Sequence, residues 1–347
     1  MESPPCLSVV LPIYNGEKYL QEAVQSVLNQ TYENFELIAL NDGSTDNSLE
    51  ILQTFHDYRI RIFTQENQGV LATLRRGIAL TRAPLIARMD QDDICLPHRF
   101  ANQMAFMNTH PEVGVCGGAV ILDDNGNKSV LRFPTTDTEI RWQLCFGSPI
   151  VHPAVVFRKD IIQKVDSYQL SKDAELVDDY DLWTRLYSIT TFANINDLLL
   201  ILRKHRQNMT ATSAGKHLQQ SRNVSQRYIQ NILKHTVSLA DVANIRLEFS
   251  QWIDPVSSFA LLKELFIFFS ANVAINKREI RVIHKNYVYR MTCLGSLMFH
   301  EKSIGAIWRS LLKAIPTGLL YYYFRYHIIQ VAFYFRNIVG SIIRSNA

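Results

Sequence analysis

The chain has 347 residues, 47% of them hydrophobic and 20% charged, which excludes global disorder and allows one large α/β domain with a smaller addition. Its net charge of +4 divides into −10 over residues 1–202 and +14 over residues 203–347, so we expect the two parts to meet different partners. The five scattered cysteines form no Cys-x-x-Cys pair, which indicates a reducing compartment and argues against disulfides or a zinc site. We expect no signal peptide, and no spanning helix because no apolar run reaches about 18 residues.

Strand and helix signals alternate over the first 90 residues. Predicted strands cover residues 7–11, 35–40, 59–64 and 85–89, and helical spacing of apolar residues follows each of the first three strands. This order predicts a parallel sheet covered by helices on both faces. In open sheets of this kind, ligands bind outside the carboxyl ends of the strands.

Polar residues follow each of these predicted strands. The four segments are Tyr14-Asn15-Gly16, Asn41-Asp42-Gly43-Ser44, Asn67-Gln68-Gly69 and Asp90–Asp93. Because the carboxyl ends of parallel strands meet at one edge, we expect these four segments to converge on one crevice.

The fourth strand ends in Arg88-Met89-Asp90-Gln91-Asp92-Asp93, with three carboxylates in four residues. Buried carboxylates need water, arginines or a hard cation to offset their desolvation. Asp-x-Asp at a strand end suits Mg²⁺ or Mn²⁺, which often share their oxygen ligands with substrate phosphates. The alternative is a polar loop that caps the helix starting near Pro97, and the triplet alone leaves both interpretations open.

The remaining chain is predicted in less detail. Val113–Leu122 is typical of a strand and Asp123–Asn127 of a hairpin turn, and an irregular stretch follows to about residue 175. After residue 215 the pattern is mostly helical. We place a boundary in the polar segment 207–216, which gives domains at 6–210 and 216–347.

Seven segments carry a family resemblance, namely residues 9–16, 41–46, 67–69, 89–100, 152–158, 178–185 and 202–205. Through them, over residues 6–210, the chain resembles the family 2 glycosyltransferases, which have a GT-A fold and use nucleotide-sugar donors. The resemblance implies a Rossmann-like α/β fold with a mostly parallel sheet, helices on both faces and a helical C-terminal region. It also implies an inverting transfer from a nucleotide-sugar, expected to be a UDP-sugar, to a glycan or lipid-linked acceptor in cell-surface polysaccharide synthesis.

The resemblance assigns the donor site to residues at the strand ends. Pro12 and Tyr14 would flank the base, and Asp42 would accept a hydrogen bond from a uracil imide N–H. Arg75 could reach the diphosphate, since guanidinium suits phosphate geometry, or could belong to a solvated helix face. Asp42-Gly43-Ser44 has a simpler interpretation as a turn that leads into a helix. The full predicted donor set is Pro12, Tyr14, Asn15, Asp42, Gly43, Asn67, Arg75 and Asp90.

The resemblance also implies a metal site and a catalytic base. Asp92 would reach the Mg²⁺ or Mn²⁺ ion, with His205 completing the metal or diphosphate contacts. Asp93 is expected to be structural. Asp179 is the predicted base that takes the proton of the acceptor hydroxyl, and its alternative role is capping of a helix. The family usually has Glu-Asp here, so the shorter Asp178 leaves open both the orientation of the acceptor and a share in the base role.

Residues 257–343 combine aromatic and aliphatic side chains with interspersed cations. This composition suits helices in the interface of an anionic bilayer, and predicts a cytoplasmic protein peripheral on the inner face of the membrane. The alternative is a helical subdomain packed on the catalytic core, or an oligomer interface. No nucleic-acid-binding motif accompanies the cations, so we expect no nucleic-acid partner.

Two other functions compete with transfer of a sugar. A nucleotidyltransferase would require a glycine-rich loop with a lysine after the first strand, and Pro-Ile-Tyr-Asn-Gly does not supply one. A catalytically inactive family member could act as a membrane-bound scaffold in a glycan assembly complex. That alternative predicts loss of an acid from the metal or base site, whereas Asp90, Asp92 and Asp179 are all present.

Overall fold

A computed structural model describes residues 4–165, 174–205, 213–248, 255–272 and 277–298. The chain divides into two compact units, residues 1–239 and residues 240–347. The first unit holds the whole sheet, and the second unit is helical where it is described.

Four parallel strands form the first half of the sheet, in the order β3-β2-β1-β4. The elements in chain order are β1 (Leu7–Ile13), α1 (Glu17–Leu28), β2 (Phe35–Asp42), α2 (Ser48–Gln53), β3 (Ile60–Gln65), α3 (Val70–Leu80) and β4 (Leu85–Arg88). β1 and β2 are buried along their whole length, as near-continuous apolar runs predict for parallel strands covered on both faces. The predicted βαβαβαβ order is confirmed.

The second half makes the sheet mixed. Its elements are β5 (Ile94–Cys95), α4 (Arg99–Thr109), β6 (Val113–Asp124), β7 (Asn127–Leu131), α5 (Asp137–Leu144), β8 (Val156–Arg158), α6 (Lys159–Gln163), α7 (Asp178–Leu186) and β9 (Thr191–Lys204). β8 runs antiparallel to β4 and to β6, whereas the long β9 runs parallel to β6. The predicted hairpin is confirmed, with Asn125 and Gly126 at φ 53° and 94° in its turn.

The core of the first unit lies between the sheet and its helices. α1 buries Leu20, Ala23, Val24 and Val27 on one face, because these residues recur at helical spacing. α4 covers the sheet with Phe100 and two methionines, and the Phe100 ring meets Phe35 edge-on at 5.6 Å. The predicted α/β fold class is therefore confirmed.

One more helix, α8 (Ala214–Leu233), begins inside the polar segment 207–216 and belongs to the first unit, and the domain boundary placed in that segment stays a prediction. α9 (Leu239–Ile245), α10 (Pro255–Asn272) and α11 (Lys277–Met298) follow it. The Phe266 and Tyr287 rings stack at 4.5 Å between α10 and α11. Among the helices that the structure describes, none combines the length and the apolar character that a membrane span requires. The aromatic and basic segment 304–347 lies outside the described residues.

Candidate active site

The acidic turn after β4 brings three carboxylates together. One oxygen each of Asp90, Asp92 and Asp93 lies within 4.8 Å of the others. Arg88, the last residue of β4, holds Asp90 with one nitrogen on each carboxylate oxygen at 2.7 Å. Oxygen ligands at this spacing suit a hard divalent cation, so the residues fit the Mg²⁺ or Mn²⁺ ion that the sequence predicts.

The environment disfavours full ionisation of this cluster. Burial raises the pKa of Asp90, while the Arg88 guanidinium acts in the opposite direction. Burial and the charges of Asp90 and Asp92 raise the pKa of Asp93 well above its ordinary value. Clustered carboxylates with raised pKa values are a site where a positive charge is favourable.

The end of β9 closes over the acidic turn. His205 places Nε2 at 2.8 Å from Oδ2 of Asp92. The backbone N–H of Arg203 donates to Asp93 Oδ1 at 2.9 Å, and its Nη1 donates to the carbonyl oxygen of Asp92 at 3.1 Å. The ring of Tyr19 on α1 lies 5.1 Å from the His205 ring and 5.1 Å from the Arg203 guanidinium.

A fully buried arginine lies beneath the same turn. Arg99 at the start of α4 donates to the carbonyl oxygens of Arg88 at 2.9 Å and Val155 at 3.3 Å. Its Nε donates to Gln103, whose own amide donates to the carbonyl oxygens of Cys116 and Ala154. The Arg99 charge acts on Asp90 to lower its pKa, and the network fixes the backbone from which the turn emerges.

Asp42 at the end of β2 organises the neighbouring strand end. Its Oδ1 accepts from Gln65 Nε2 at 2.7 Å and from the N–H of Gln68 at 2.9 Å, and its Oδ2 accepts from the N–H of Gly69 at 2.9 Å. Gly43 has φ +68°, and a Cβ there would lie 2.7 Å from the backbone nitrogen of Asn67. Glycine is therefore required by both conformation and space.

Hydrogen bonds with neighbouring segments hold the loop that follows β1. Gln91 accepts from the N–H of Tyr14 at 2.9 Å and donates to the carbonyl oxygen of Tyr14 at 3.0 Å. Asn15, at φ 50°, accepts from the N–H of Thr45 at 2.8 Å. A Cβ on Gly16 would lie 2.5 Å from Gln91 Oε1. These contacts leave the Tyr14 side chain 47% exposed at the strand ends.

Two adjacent carboxylates begin α7. Asp179 accepts from Ser148 Oγ at 3.1 Å through Oδ2 and from the N–H of Tyr180 at 2.7 Å through Oδ1. Asp178 Oδ2 lies 3.5 Å from Nδ1 of His152. Burial and the charge of Asp179 raise the pKa of Asp178 to about 7, and burial also raises the pKa of Asp179. The Arg88 charge lowers the pKa of both carboxyls, as it does that of Asp90 in the acidic turn.

Comparison with known proteins identifies the family. Residues 8–166 match the family described as glycosyl transferase family 2. The amylovoran biosynthesis glycosyltransferase AmsE of Erwinia amylovora is 34% identical over 203 residues, which cover 56% of this chain and 75% of AmsE. The chain belongs to glycosyltransferase family 2.

Other comparisons agree with this family 2 glycosyltransferase assignment. The O-antigen biosynthesis glycosyltransferase WbnJ of Escherichia coli is 30% identical over 210 residues, covering 58% of this chain and 80% of WbnJ. The crystal structure of S. aureus TarS 1–349 in complex with UDP-GlcNAc superposes with a TM-score of 0.56 at 15% identity. It covers 86% of this chain and 93% of the TarS chain, so it shares the fold.

This family 2 glycosyltransferase brings most of the predicted site residues to the strand ends. Tyr14, Asn15, Asp42, Gly43 and Asn67 lie on three adjoining strand ends, and Asp90, Asp92 and His205 meet at the acidic turn. Pro12 is buried within β1, and Arg75 is exposed on α3. The roles assigned to all of these residues and to Asp179 stay predictions.

Several residues that hold these side chains in place have no role that the sequence predicts. Gln91 is the middle residue of Asp-x-Asp, and its side-chain amide forms two hydrogen bonds with the backbone of Tyr14 in the loop after β1. Arg203 near the end of β9 and His205 just after it are two residues apart, and this period-two spacing predicts that both lie on the face that meets the acidic turn. Arg99 and His152 lie in the matching segments 89–100 and 152–158, but no role followed for them because their partners Val155 and Asp178 are distant in sequence. Ser148 lies outside the matching segments, and its partner Asp179 is 31 residues away.

Proposed function

We propose that this chain is an inverting, metal-dependent glycosyltransferase that moves a sugar from a nucleotide-sugar, expected to be a UDP-sugar, to a glycan or lipid-linked acceptor. The observation that carries the proposal is the meeting of three carboxylates and His205 at the carboxyl ends of the parallel strands. Relatives named for amylovoran and O-antigen biosynthesis support a role in cell-surface polysaccharide synthesis.

The nucleobase of the nucleotide-sugar donor is assigned to the ends of β1 and β2. Tyr14 is exposed and held by Gln91, so its ring is available to flank a nucleobase. A carboxylate oxygen can accept two hydrogen bonds, and Asp42 Oδ2 accepts one from Gly69. The remaining lone pair could accept from a uracil imide N–H. Arg75 and Asn67, both exposed, would then face the diphosphate and ribose side of the donor.

Asp92 and His205 would hold Mg²⁺ or Mn²⁺. A bound cation would act as a Lewis acid that stabilises the negative charge of the departing nucleoside diphosphate. Asp90, paired with Arg88, is assigned to the ribose side of the donor. Arg203 and Arg99 fix the backbone of the turn, so the ligand oxygens are positioned before the ion binds.

Asp179 would take the proton of the acceptor hydroxyl as its oxygen attacks the anomeric carbon. Its contacts with Ser148 and Tyr180 fix the carboxyl group, and its raised pKa makes it a stronger base than an ordinary aspartate. The nucleoside diphosphate leaves from the opposite face, so the configuration of the sugar inverts.

A direct test measures donor hydrolysis and Mn²⁺-dependent thermal stabilisation across a panel of nucleotide-sugars. We expect one donor, or one small group of donors, to stabilise the protein and to be hydrolysed in the presence of Mn²⁺. Stabilisation without hydrolysis or transfer under any condition would favour the inactive scaffold instead. If no nucleotide-sugar stabilised the protein and none was hydrolysed, the proposal would be contradicted.

We also propose that the second unit contacts an anionic membrane, which would place the protein on the inner face of the cytoplasmic membrane. On the described part of α11 every exposed charge is basic, because Glu279 is buried. Val282 and Tyr289 are 42% and 59% exposed on the same side of the helix. Cations beside exposed apolar and aromatic groups are typical of helices that bind anionic lipid. The exposed cations are Lys277, Arg278, Arg281 and Lys285.

A further inference from the structure

The segment between α5 and β8 brings a separate partner to each of the two adjacent carboxylates, Asp178 and Asp179. Ser148 Oγ lies 3.1 Å from Asp179 Oδ2, across 31 residues of sequence. His152, in a 3₁₀ turn four residues later, lies 3.5 Å from Asp178 instead. The two aspartates are therefore held by different groups although they are adjacent in sequence.

Ser148 has two acceptors within reach and one proton to donate. Its Oγ also lies 3.1 Å from the carbonyl oxygen of Ile150. A hydroxyl carries one hydrogen and two lone pairs, so it can donate to only one of these oxygens at a time. The Asp179 and Ile150 contacts are therefore alternatives for the Ser148 proton.

The two oxygens of Asp179 differ in how their partners respond to protonation. Oδ1 accepts from the backbone N–H of Tyr180, which can only donate. Oδ2 faces the Ser148 hydroxyl, which can donate to an ionised carboxylate or accept from a protonated one. Oδ2 is thus the oxygen whose partner remains satisfied after Asp179 has gained a proton.

We propose that Ser148 is a positioning residue for the base Asp179 and stabilises it both before and after proton transfer. Its hydroxyl donates to Oδ2 while the carboxyl is ionised. When Oδ2 takes the proton of the acceptor hydroxyl, the Ser148 hydroxyl turns to donate to the carbonyl oxygen of Ile150 and accepts from Oδ2–H. This inference rests on the proposed role of Asp179 as the base.

The segment that presents Ser148 is rigid enough for this task. Ile150 is 1% exposed, and Asn194 donates to the carbonyl oxygen of Pro149 at 3.1 Å. The hydroxyl of Tyr180 donates to the carbonyl oxygen of Leu144, which ties the start of α7 to the end of α5. The backbone beside Ser148 is therefore held in place, while the hydrogen of its hydroxyl can rotate.

Other charged groups also affect the pKa of Asp179, and a test of Ser148 must leave them unchanged. Arg88 on β4 and His217 on α8 both lower its pKa, against the larger effect of burial, and the partly buried Asp178 adjoins it. Wild type and Ser148 variants share these groups. A difference between their pH profiles therefore isolates the Ser148 hydrogen bond.

The experiment compares Ser148→Ala, Ser148→Cys and Ser148→Thr in the full chain, with Ser129→Ala on the exposed β7 as the matched control. Loss of the bond that orients the Asp179 carboxyl should lower kcat about 10- to 100-fold in Ser148→Ala, with donor affinity unchanged. The acid limb of the pH–kcat profile should move to higher pH, because the ionised carboxylate loses a donor. Ser148→Thr retains the hydroxyl and should recover most of the activity.

Ser148→Cys covers the case in which the alanine variant fails to fold, since its weakly donating thiol should move the acid limb in the same direction. Unchanged kcat and acid limb in a folded alanine or cysteine variant would overturn the proposal. Equal impairment of the threonine and alanine variants would do the same. Asp179→Asn distinguishes failure of the proposed base role from failure of the proposed Ser148 role. An active Asp179→Asn enzyme would refute the base role of Asp179 itself. An inactive Asp179→Asn enzyme beside a normal Ser148→Ala enzyme removes only the role of Ser148.

Discussion

Nε2 of His205 lies 2.8 Å from Oδ2 of Asp92, although the two residues are 113 positions apart in the sequence. Asp92 lies in the turn after β4, and His205 follows the last residue of β9. The pair joins the first half of the sheet to its final strand. It also places an imidazole and a carboxylate, both suitable ligands for a divalent ion, at one point.

The first prediction tests this pair as the metal site. Asp92→Asn should abolish sugar transfer and weaken Mn²⁺-dependent binding of the nucleoside diphosphate, because an amide is a poorer ligand for a hard cation. Calorimetric titration with UDP, with and without Mn²⁺, measures the effect. Asp160→Asn is a matched control, since the Asp160 side chain is 68% exposed outside the site. A fully active Asp92→Asn enzyme, or full wild-type activity in excess chelator, would refute the metal assignment.

The second prediction separates the two carboxylates of α7. Asp179→Asn should lower kcat by about 10²- to 10⁴-fold and leave donor affinity nearly unchanged, because a base acts in the transition state. Asp178→Asn should retain most of the activity, since its carboxyl faces His152 and burial raises its pKa to about 7. Initial rates at saturating donor give kcat for both variants. If Asp178→Asn were the more damaging change, the base role would pass to Asp178.

The third prediction concerns pH. The base must be ionised to accept a proton, and burial raises the pKa of Asp179 above its usual 3.8. The acid limb of the kcat profile should therefore lie above 3.8, and activity should rise as pH increases through the pKa in the folded protein. A series of rates across pH with a constant-ionic-strength buffer measures the limb. An acid limb at or below 3.8 would exclude Asp179 as the titrating base.

The fourth prediction tests the loop after β1. Gly16→Ala places a Cβ 2.5 Å from Gln91 Oε1, so the amide must leave the backbone of Tyr14. We expect the donor to bind more weakly while the thermal transition changes little, because the disturbed contacts lie at the surface. Gly215→Ala is the control, since its Cβ would meet nothing within 4 Å. Equal donor affinity in both variants would show that this loop does not contact the nucleotide.

The fifth prediction concerns stability at the opposite ends of the strands. Glu36 at the start of β2 accepts from Ser8 Oγ at 2.6 Å, Arg61 Nη1 at 2.6 Å and the N–H of Arg82 at 2.7 Å. These bonds outweigh the effect of burial and lower its pKa from 4.5. Its stabilisation is therefore complete above pH 4.5 and is lost as pH falls through the lowered folded-state pKa.

Glu36→Gln should reduce the free energy of unfolding by about 1–3 kcal/mol at neutral pH. The difference from wild type should shrink as pH falls below 4.5. Urea denaturation at several pH values measures both effects. A difference that grows in acid would contradict this account of Glu36.

A further measurement tests the proposed membrane face of α11. Replacing Arg278, Arg281 and Lys285 with glutamine should reduce binding to anionic phosphatidylglycerol vesicles, and wild-type binding should weaken as salt rises. The control replaces Lys128, Lys164 and Lys216, which are 55%, 57% and 62% exposed in the first unit. Equal loss of binding in both triple variants would indicate a general charge effect and refute a specific role for α11.

The sequence by itself determined the parallel half of the sheet and the positions of its polar ends. Continuous apolar runs predict β1 and β2, and helical spacing predicts α1, because burial is encoded in the local pattern. The convergence of Asp42 and the acidic turn followed from the geometry of parallel strands, and the family resemblance supplied the assignments of Asp92, Asp179 and His205.

Only the tertiary structure decided which groups hold these residues. The partners of Arg99, Gln91 and Ser148 cannot be predicted from local pattern, because a hydrogen bond to a residue dozens of positions away depends on how the elements pack. The antiparallel placement of β8 between β4 and β6 is equally non-local, since three residues of strand carry too little pattern to specify a neighbour. The local sequence pattern therefore places the carboxylates at the strand ends. The packing of distant segments determines the hydrogen bonds and pKa values that govern their chemistry.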